Sequence, residues 1–115
     1  MTLSIFLVED EVMIRMMVAD MVETMGHQIA AEAGNVDQAM ELVRSANFDF
    51  AIIDINLNGT MSFPIAKAIS ARRIPFIFAS GYDSTNVGQH DGALVLQKPF
   101  TIESLEAAIQ QAMTA

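Results

Sequence analysis

The chain contains no cysteine, which excludes a disulfide framework and any thiolate metal site. Basic residues are scarce: six lysines and arginines stand against fourteen acids, for a formal net charge of −8. Such a surface repels nucleic acid, so direct nucleic-acid binding is not expected. Long apolar runs are missing as well. Residues 1–8 lack a basic segment and are too short for a signal peptide. No stretch approaches the length of a membrane span. The expectation is a cytoplasmic protein with no membrane partner. There is also no repeat, linker or low-complexity tract.

What the chain does have is apolar content, 52% of 115 residues, enough for one packed domain over residues 1–115. Short β-favouring runs at 3–8, 28–33, 50–53, 76–79 and 93–96 predict strands. Between them lie helical patterns. Ile14, Met17, Val18, Met21, Val22 and Met25 form one face, ended by Gly26. Asn35 is placed to cap a second helix, with Gln38 three residues on and Val36, Ala39, Met40 and Val43 inward. Residues 62–72 predict a third helix, with Pro64 in its first turn. Thr101 caps the last, which buries Ile102, Leu105, Ile109 and Met113. The helix-face spacing of the methionines reads as core packing. His27 and His90 read as surface residues. Strands apolar on both faces, alternating with helices, predict a doubly wound α/β domain with a mostly parallel sheet. In that architecture the working crevice lies beyond the carboxyl ends of the strands.

Those ends are polar. The first strand ends at Glu9 and Asp10, the third at Asp54, the fourth at Ser80, and the fifth near Lys98-Pro99. A calcium-loop reading of Asp54, Asn56, Asn58 and Gly59 fails, because its twelfth position is Ile65 and a strand precedes it. Converging carboxylates of Glu9, Asp10 and Asp54 would repel one another by roughly 4 kcal/mol per pair about 4 Å apart at an effective dielectric of about 20. A hard divalent cation relieves that conflict, and oxygen-only ligands favour Mg²⁺. Lys98 adds a positive charge and Ser80 a hydroxyl. This set suits phosphoryl transfer, with Asp54 as the nucleophile.

The segments "IFLVEDE", "AIIDINL", "FIFASGY" and "LQKPF" resemble, in order, the receiver domain of two-component response regulators. The resemblance covers the whole chain. It implies a flavodoxin-like five-stranded parallel sheet in the order 2-1-3-4-5. It also implies that Asp54 is the phosphoacceptor and that Glu9, Asp10, Asp54 and the backbone carbonyl of Asn56 hold Mg²⁺. Ser80 is then the switch hydroxyl, Lys98 the phosphate-binding lysine, and the Lys98–Pro99 bond is cis. The family usually has Asp-Asp where this chain has Glu9-Asp10. Val95 stands where many receivers carry a switch aromatic.

The polar residues 83–92 predict a fourth helix that is short or disordered. With Phe78-Ala79-Ser80-Gly81-Tyr82, this resembles the stand-alone receiver subgroup nicknamed FAT GUY. Tyr82, two residues past the switch hydroxyl, is expected to be modulatory by steering water at the site. The implied function is that of a single-domain response regulator in a phosphorelay, not a turnover enzyme. It takes phosphoryl from a sensor histidine kinase or phosphotransfer protein, then binds a downstream protein or drains phosphate from a shared kinase. Two alternatives stay open: an Mg²⁺-dependent phosphohydrolase with an Asp nucleophile, and a docking module independent of phosphorylation.

Overall fold

The computed structural model describes residues 2–81 and 93–114. In chain order the elements are β1 (Ser4–Val8), α1 (Val12–Thr24), β2 (Gln28–Ala33), α2 (Val36–Ser45), β3 (Phe50–Asp54), β4 (Asn56–Leu57), β5 (Thr60–Met61), α3 (Phe63–Ala71), β6 (Phe76–Ser80), β7 (Val95–Gln97) and α4 (Ile102–Thr114). The main sheet has five strands in the order β2-β1-β3-β6-β7, and every pairing is parallel. This is the expected 2-1-3-4-5 order. The short β4–β5 pair is antiparallel and stands apart from the main sheet. Residues 83–92, where a short or disordered helix was expected, lie outside the described residues, as do Tyr82 and His90.

Alternation along the central strands explains why both faces are apolar. From β1, Phe6 and Val8 point to one side; from β3, Ala51 and Ile53 join them. There they meet Ala39 and Val43 of α2 and Ile65 and Ile69 of α3. Ile5, Leu7, Phe50 and Ile52 point to the other side, against Val18 and Val22 of α1 and Leu105 and Ile109 of α4. Strands buried on both faces need this two-layer cover.

Local signals set the helix ends. Asn35 Oδ1 accepts from the Gln38 N–H at 2.8 Å, and Gln38 Oε1 reaches back to the Gly34 N–H at 2.9 Å. This is a capping box displaced by one residue at its return bond. Pro64 sits in the first turn of α3, where a missing N–H costs nothing. Thr101 Oγ1 accepts from the Ser104 N–H at 3.1 Å and caps α4. Gly26 follows α1 with φ +92°, a conformation that favours glycine.

Two expectations are corrected. Met17 is not a core residue. It is 51% exposed, and Met13, Met16 and Met61 are exposed with it. The first turns of α1 stand beside the cleft at the sheet edge, and Met17 lines that cleft. Ile14, Val18 and Val22 make the face of the helix that packs on the core, and Met17 lies on its flank. His27 is half-buried, and its Nδ1 accepts the Leu3 N–H at 3.0 Å, so it anchors the start of the first strand.

Leu105 has no exposed surface, whereas Met13 is 81% exposed. Leu105→Ala is therefore expected to lower unfolding free energy by about 2–5 kcal/mol. Met13→Ala should stay within about 0.5 kcal/mol of wild type. Urea unfolding curves check both. Equal losses would overturn the layer assignment.

Candidate functional site

Parallel strands bring their carboxyl ends to one edge. Glu9 and Asp10 follow β1, Asp54 closes β3, Ser80 closes β6, and Lys98 directly follows β7. The register fixes their spacing: Val8 lies beside Ile53, Asp54 beside Ala79, and Ser80 beside Gln97. A further bond extends the ladder, with the Lys98 N–H donating to the Ser80 carbonyl at 2.8 Å. The edge opens into a cleft of ≈ 710 Å³, lined by Asp10, Asp54, Asn56, Ser80, Lys98 and Pro99 among others. The Lys98–Pro99 peptide is cis, as expected.

At the floor of the cleft the carboxylates converge. One oxygen from each of Glu9, Asp10 and Asp54 lies within 4.8 Å of the others. Glu9 and Asp54 are buried, at 2% and 7% exposure. Lys98 Nζ donates to Glu9 Oε1 at 2.5 Å and to Asp54 Oδ2 at 3.1 Å. Glu9 Oε2 accepts the Glu11 N–H at 3.1 Å. Asp10 Oδ2 accepts the Asn58 N–H at 3.0 Å. Ser80 Oγ donates to the Gly81 carbonyl at 3.3 Å. All the residues singled out from the sequence that are described thus meet at this edge.

The electrostatics follow from burial. Glu9 is pushed up to about 7, chiefly by desolvation. The Lys98 hydrogen bond opposes that rise and the Asp54 charge adds to it. Burial pulls Lys98 down, but the hydrogen bond to Glu9 and the charges of Asp54 and Glu9 outweigh it and leave Lys98 raised. One ammonium does not neutralise three carboxylates at this separation. The excess negative charge and the all-oxygen donor set fit a hard divalent cation.

Two features were not read from the sequence. Residues 56–61 form a hairpin, with Asn58 at φ 56° and Gly59 at φ 91°. The Asn-Gly pair is the signal for such a turn. Asn56 Oδ1 accepts the Gly59 N–H at 2.7 Å and closes it. The second is Arg15, whose Nη1 donates to the Glu9 carbonyl at 2.9 Å. A basic residue in a helical run carries no sequence mark of that contact.

Comparison with known proteins agrees with this geometry. A family model described as the response regulator receiver domain matches residues 5–110. The solution structure of SdrG from Sphingomonas melonis is similar at 37% identity and a TM-score of 0.86, covering 96% of this chain and 95% of that one. The receiver domain of the PhyR response regulator from Erythrobacter litoralis is 26% identical, with a TM-score of 0.85 over 98% of this chain and 91% of that one. The transcriptional regulatory protein PdtaR of Mycobacterium tuberculosis is 30% identical across 96% of this chain. This chain spans only 56% of that relative's length.

Glu9 generates a pH prediction. Its folded value of about 7 lies above the ordinary 4.5, so between these values the folded chain holds a proton that the unfolded chain releases. The associated stability is complete below about 4.5 and is lost as pH rises through about 7. The contribution from Lys98 has the same sign and is lost only above its ordinary 10.5. Measured in a chelating buffer, wild type should lose stability relative to Glu9→Gln as pH rises from 4.5 to 7. Parallel profiles across that window would contradict it.

Proposed function

The chain belongs to the response regulator receiver domain family, and from that premise we propose that Asp54 accepts a phosphoryl group within a two-component phosphorelay. The observation that carries the reading is the Lys98 ammonium, 3.1 Å from Asp54 Oδ2 at the floor of a cleft. A carboxylate used only for structure has no need of a cleft in front of it.

The donor is a phosphohistidine of a sensor kinase or phosphotransfer protein. An Asp54 carboxylate oxygen forms the new O–P bond while the donor's N–P bond breaks, and the imidazole leaves with the electron pair. Dephosphorylation is a separate step, in which water attacks phosphorus, the Asp54 O–P bond breaks, and the Asp54 carboxylate and inorganic phosphate are released. Charge in the transition state spreads over three equatorial oxygens. Lys98 is positioned to bind one of them and Ser80 to donate its hydroxyl to another. The carboxylates of Glu9, Asp10 and Asp54 and the main-chain carbonyl of Asn56 would hold Mg²⁺, which supplies further neutralisation of phosphoryl charge. Phosphorylation adds nearly two negative charges at Asp54. Ser80 then answers to the phosphoryl group as well as to the Gly81 carbonyl, and that competition pulls on the end of β6. Val95 in place of an aromatic leaves Ser80 as the switch.

A donor protein would approach across the cleft, which the exposed Met17 and Met61 line. Unbranched, polarizable methionine adapts to a partner surface. After transfer the protein binds a downstream protein or serves as a phosphate sink. Residues 1–115 act in this as one receiver domain. A phosphohydrolase would want an acid–base carboxylate two residues past Asp54. Asn56 stands there, and its side-chain oxygen is committed to the Gly59 N–H.

The test is to incubate the chain with Mg²⁺ and acetyl phosphate and to weigh it intact. A single phosphoryl adduct is expected, absent in Asp54→Asn and reduced at least tenfold in Lys98→Ala, since loss of one charge-stabilising donor costs about 10²–10³ in rate. Steady release of inorganic phosphate without an adduct would favour the hydrolase. Neither adduct nor release, from acetyl phosphate or from a phosphorylated histidine donor, would favour the docking module.

A further inference from the structure

We propose that Arg15 is a positioning residue for the metal-binding carboxylates, and that position 34 is glycine to make room for it. The inference rests on the metal reading of Glu9, Asp10 and Asp54 given above. It assigns a role to two residues that touch none of the reacting groups.

Arg15 closes the first turn of α1. Its side chain turns back toward the sheet, and Nη1 donates to the main-chain carbonyl of Glu9 at 2.9 Å. Its Nε faces Glu32 Oε1 of β2 at 3.3 Å. The side chain is 22% exposed, so both contacts are partly shielded from water. The Arg15 N–H also donates to the Glu11 carbonyl at 2.9 Å. One residue therefore grips the acidic turn at both ends.

The grip matters because of what it holds. The carbonyl of Glu9 belongs to the peptide plane joining Glu9 to Asp10, and a peptide plane moves as a unit. Fixing its oxygen fixes the directions in which both side chains leave the backbone. The other bonds to the turn, from the Glu11 N–H to Glu9 Oε2 and from the Asn58 N–H to Asp10 Oδ2, hold side chains and not the peptide plane. Glu11, at the N-cap position of α1, makes no side-chain capping bond. The Glu9 N–H is held by the Ala33 carbonyl at 3.0 Å, which anchors the strand side. Arg15 anchors the helix side. The planar guanidinium fork reaches the carbonyl and Glu32 together, which a lysine ammonium on one stem does not reproduce.

Gly34 supplies the independent observation. Its backbone is not in the left-handed region, so conformation alone does not call for glycine. A Cβ built there would lie 2.9 Å from Arg15 Nη1 and 3.8 Å from the Glu9 carbonyl oxygen. The first distance is closer than real Cβ contacts come. Alanine at 34 would displace the end of a flexible side chain, leaving the fold intact and the Glu9 carbonyl without its donor.

The experiment is calorimetric titration of Mg²⁺ into wild type, Arg15→Lys, Gly34→Ala and the double variant, with thermal unfolding in chelator as the check on folding. Each single variant is expected to weaken Mg²⁺ binding about tenfold, the lower end of the effect of losing a residue that orients metal ligands. The double variant should be no weaker than either single one, since both remove the same contact. Wild-type Mg²⁺ affinity in folded Arg15→Lys and Gly34→Ala overturns the proposal and leaves the metal reading standing. Altered melting in chelator with unchanged Mg²⁺ affinity means a merely structural Arg15, and overturns it too. If wild type itself binds no Mg²⁺, the metal reading fails and this inference with it. Should Gly34→Ala not fold, Arg15→Lys alone decides.

Discussion

A lysine ammonium wedged between two buried carboxylates is the constraint on which the site depends. Glu9 and Asp54 are almost wholly withdrawn from water. Desolvating either as a free anion costs several kcal/mol, and their mutual repulsion adds to that. Lys98 meets both within hydrogen-bond reach. It comes from a segment 44 residues beyond Asp54 and 89 beyond Glu9, so the contact exists only in the folded sheet. The Lys98 N–H tied to the Ser80 carbonyl sets where the ammonium stem begins. Removing one partner of such a cluster leaves an uncompensated buried charge, which is why its members act as a group rather than as separate residues.

The cluster follows from topology. A parallel sheet puts every carboxyl end at the same edge, and with helices on both faces that edge is where polar side chains following the central strands reach water. The central strands spend their whole length on burial: all five residues of β3 are buried, Asp54 among them. The last residue of β3 is thus both the end of an apolar strand and the floor of a cleft. The apolar layers hold that carboxylate at low exposure, and low exposure is what gives charge partners their effect.

Much of this was legible in the sequence, for identifiable reasons. Strands buried on both faces leave unbroken apolar runs, so β1, β3 and β6 were placed within a residue or so. Asn35 and Thr101 announce helix starts because their side chains bond locally to the backbone. The strand-end residues Glu9, Asp10, Asp54, Ser80 and Lys98 stood out as polar groups at the end of apolar runs. Other features were hidden because they depend on neighbours distant in sequence. Met17 has the spacing of a core residue, but it lies on the flank of α1 that borders the cleft and stays exposed. His27 looks like a surface residue until the Leu3 N–H is found against it. Arg15 and Gly34 are unremarkable apart, and acquire meaning only when a Cβ and a guanidinium compete for one space.

The three carboxylates are not equivalent, and the difference bears on how the cleft receives charge. Glu9 is tied to Lys98, to the Glu11 N–H and, through its main chain, to Arg15. Asp10 is half-buried and, among the described residues, accepts the Asn58 N–H of the hairpin. Asp54 shares Lys98 and has one long contact, 3.4 Å, from the Asn56 N–H to its Oδ1. Asp54, which ends β3 and faces the cleft, has its close donor on Oδ2 and only the long contact on Oδ1. Strong donors on both oxygens would stabilise the anion and blunt it for the phosphoacceptor role proposed above. Concentrating the donors on Glu9 instead keeps the ammonium beside Asp54 while leaving an Asp54 oxygen lightly held. The extra methylene of Glu9 relative to an aspartate fits this division of labour, since it carries one carboxylate far enough to engage Lys98 without asking β1 to move.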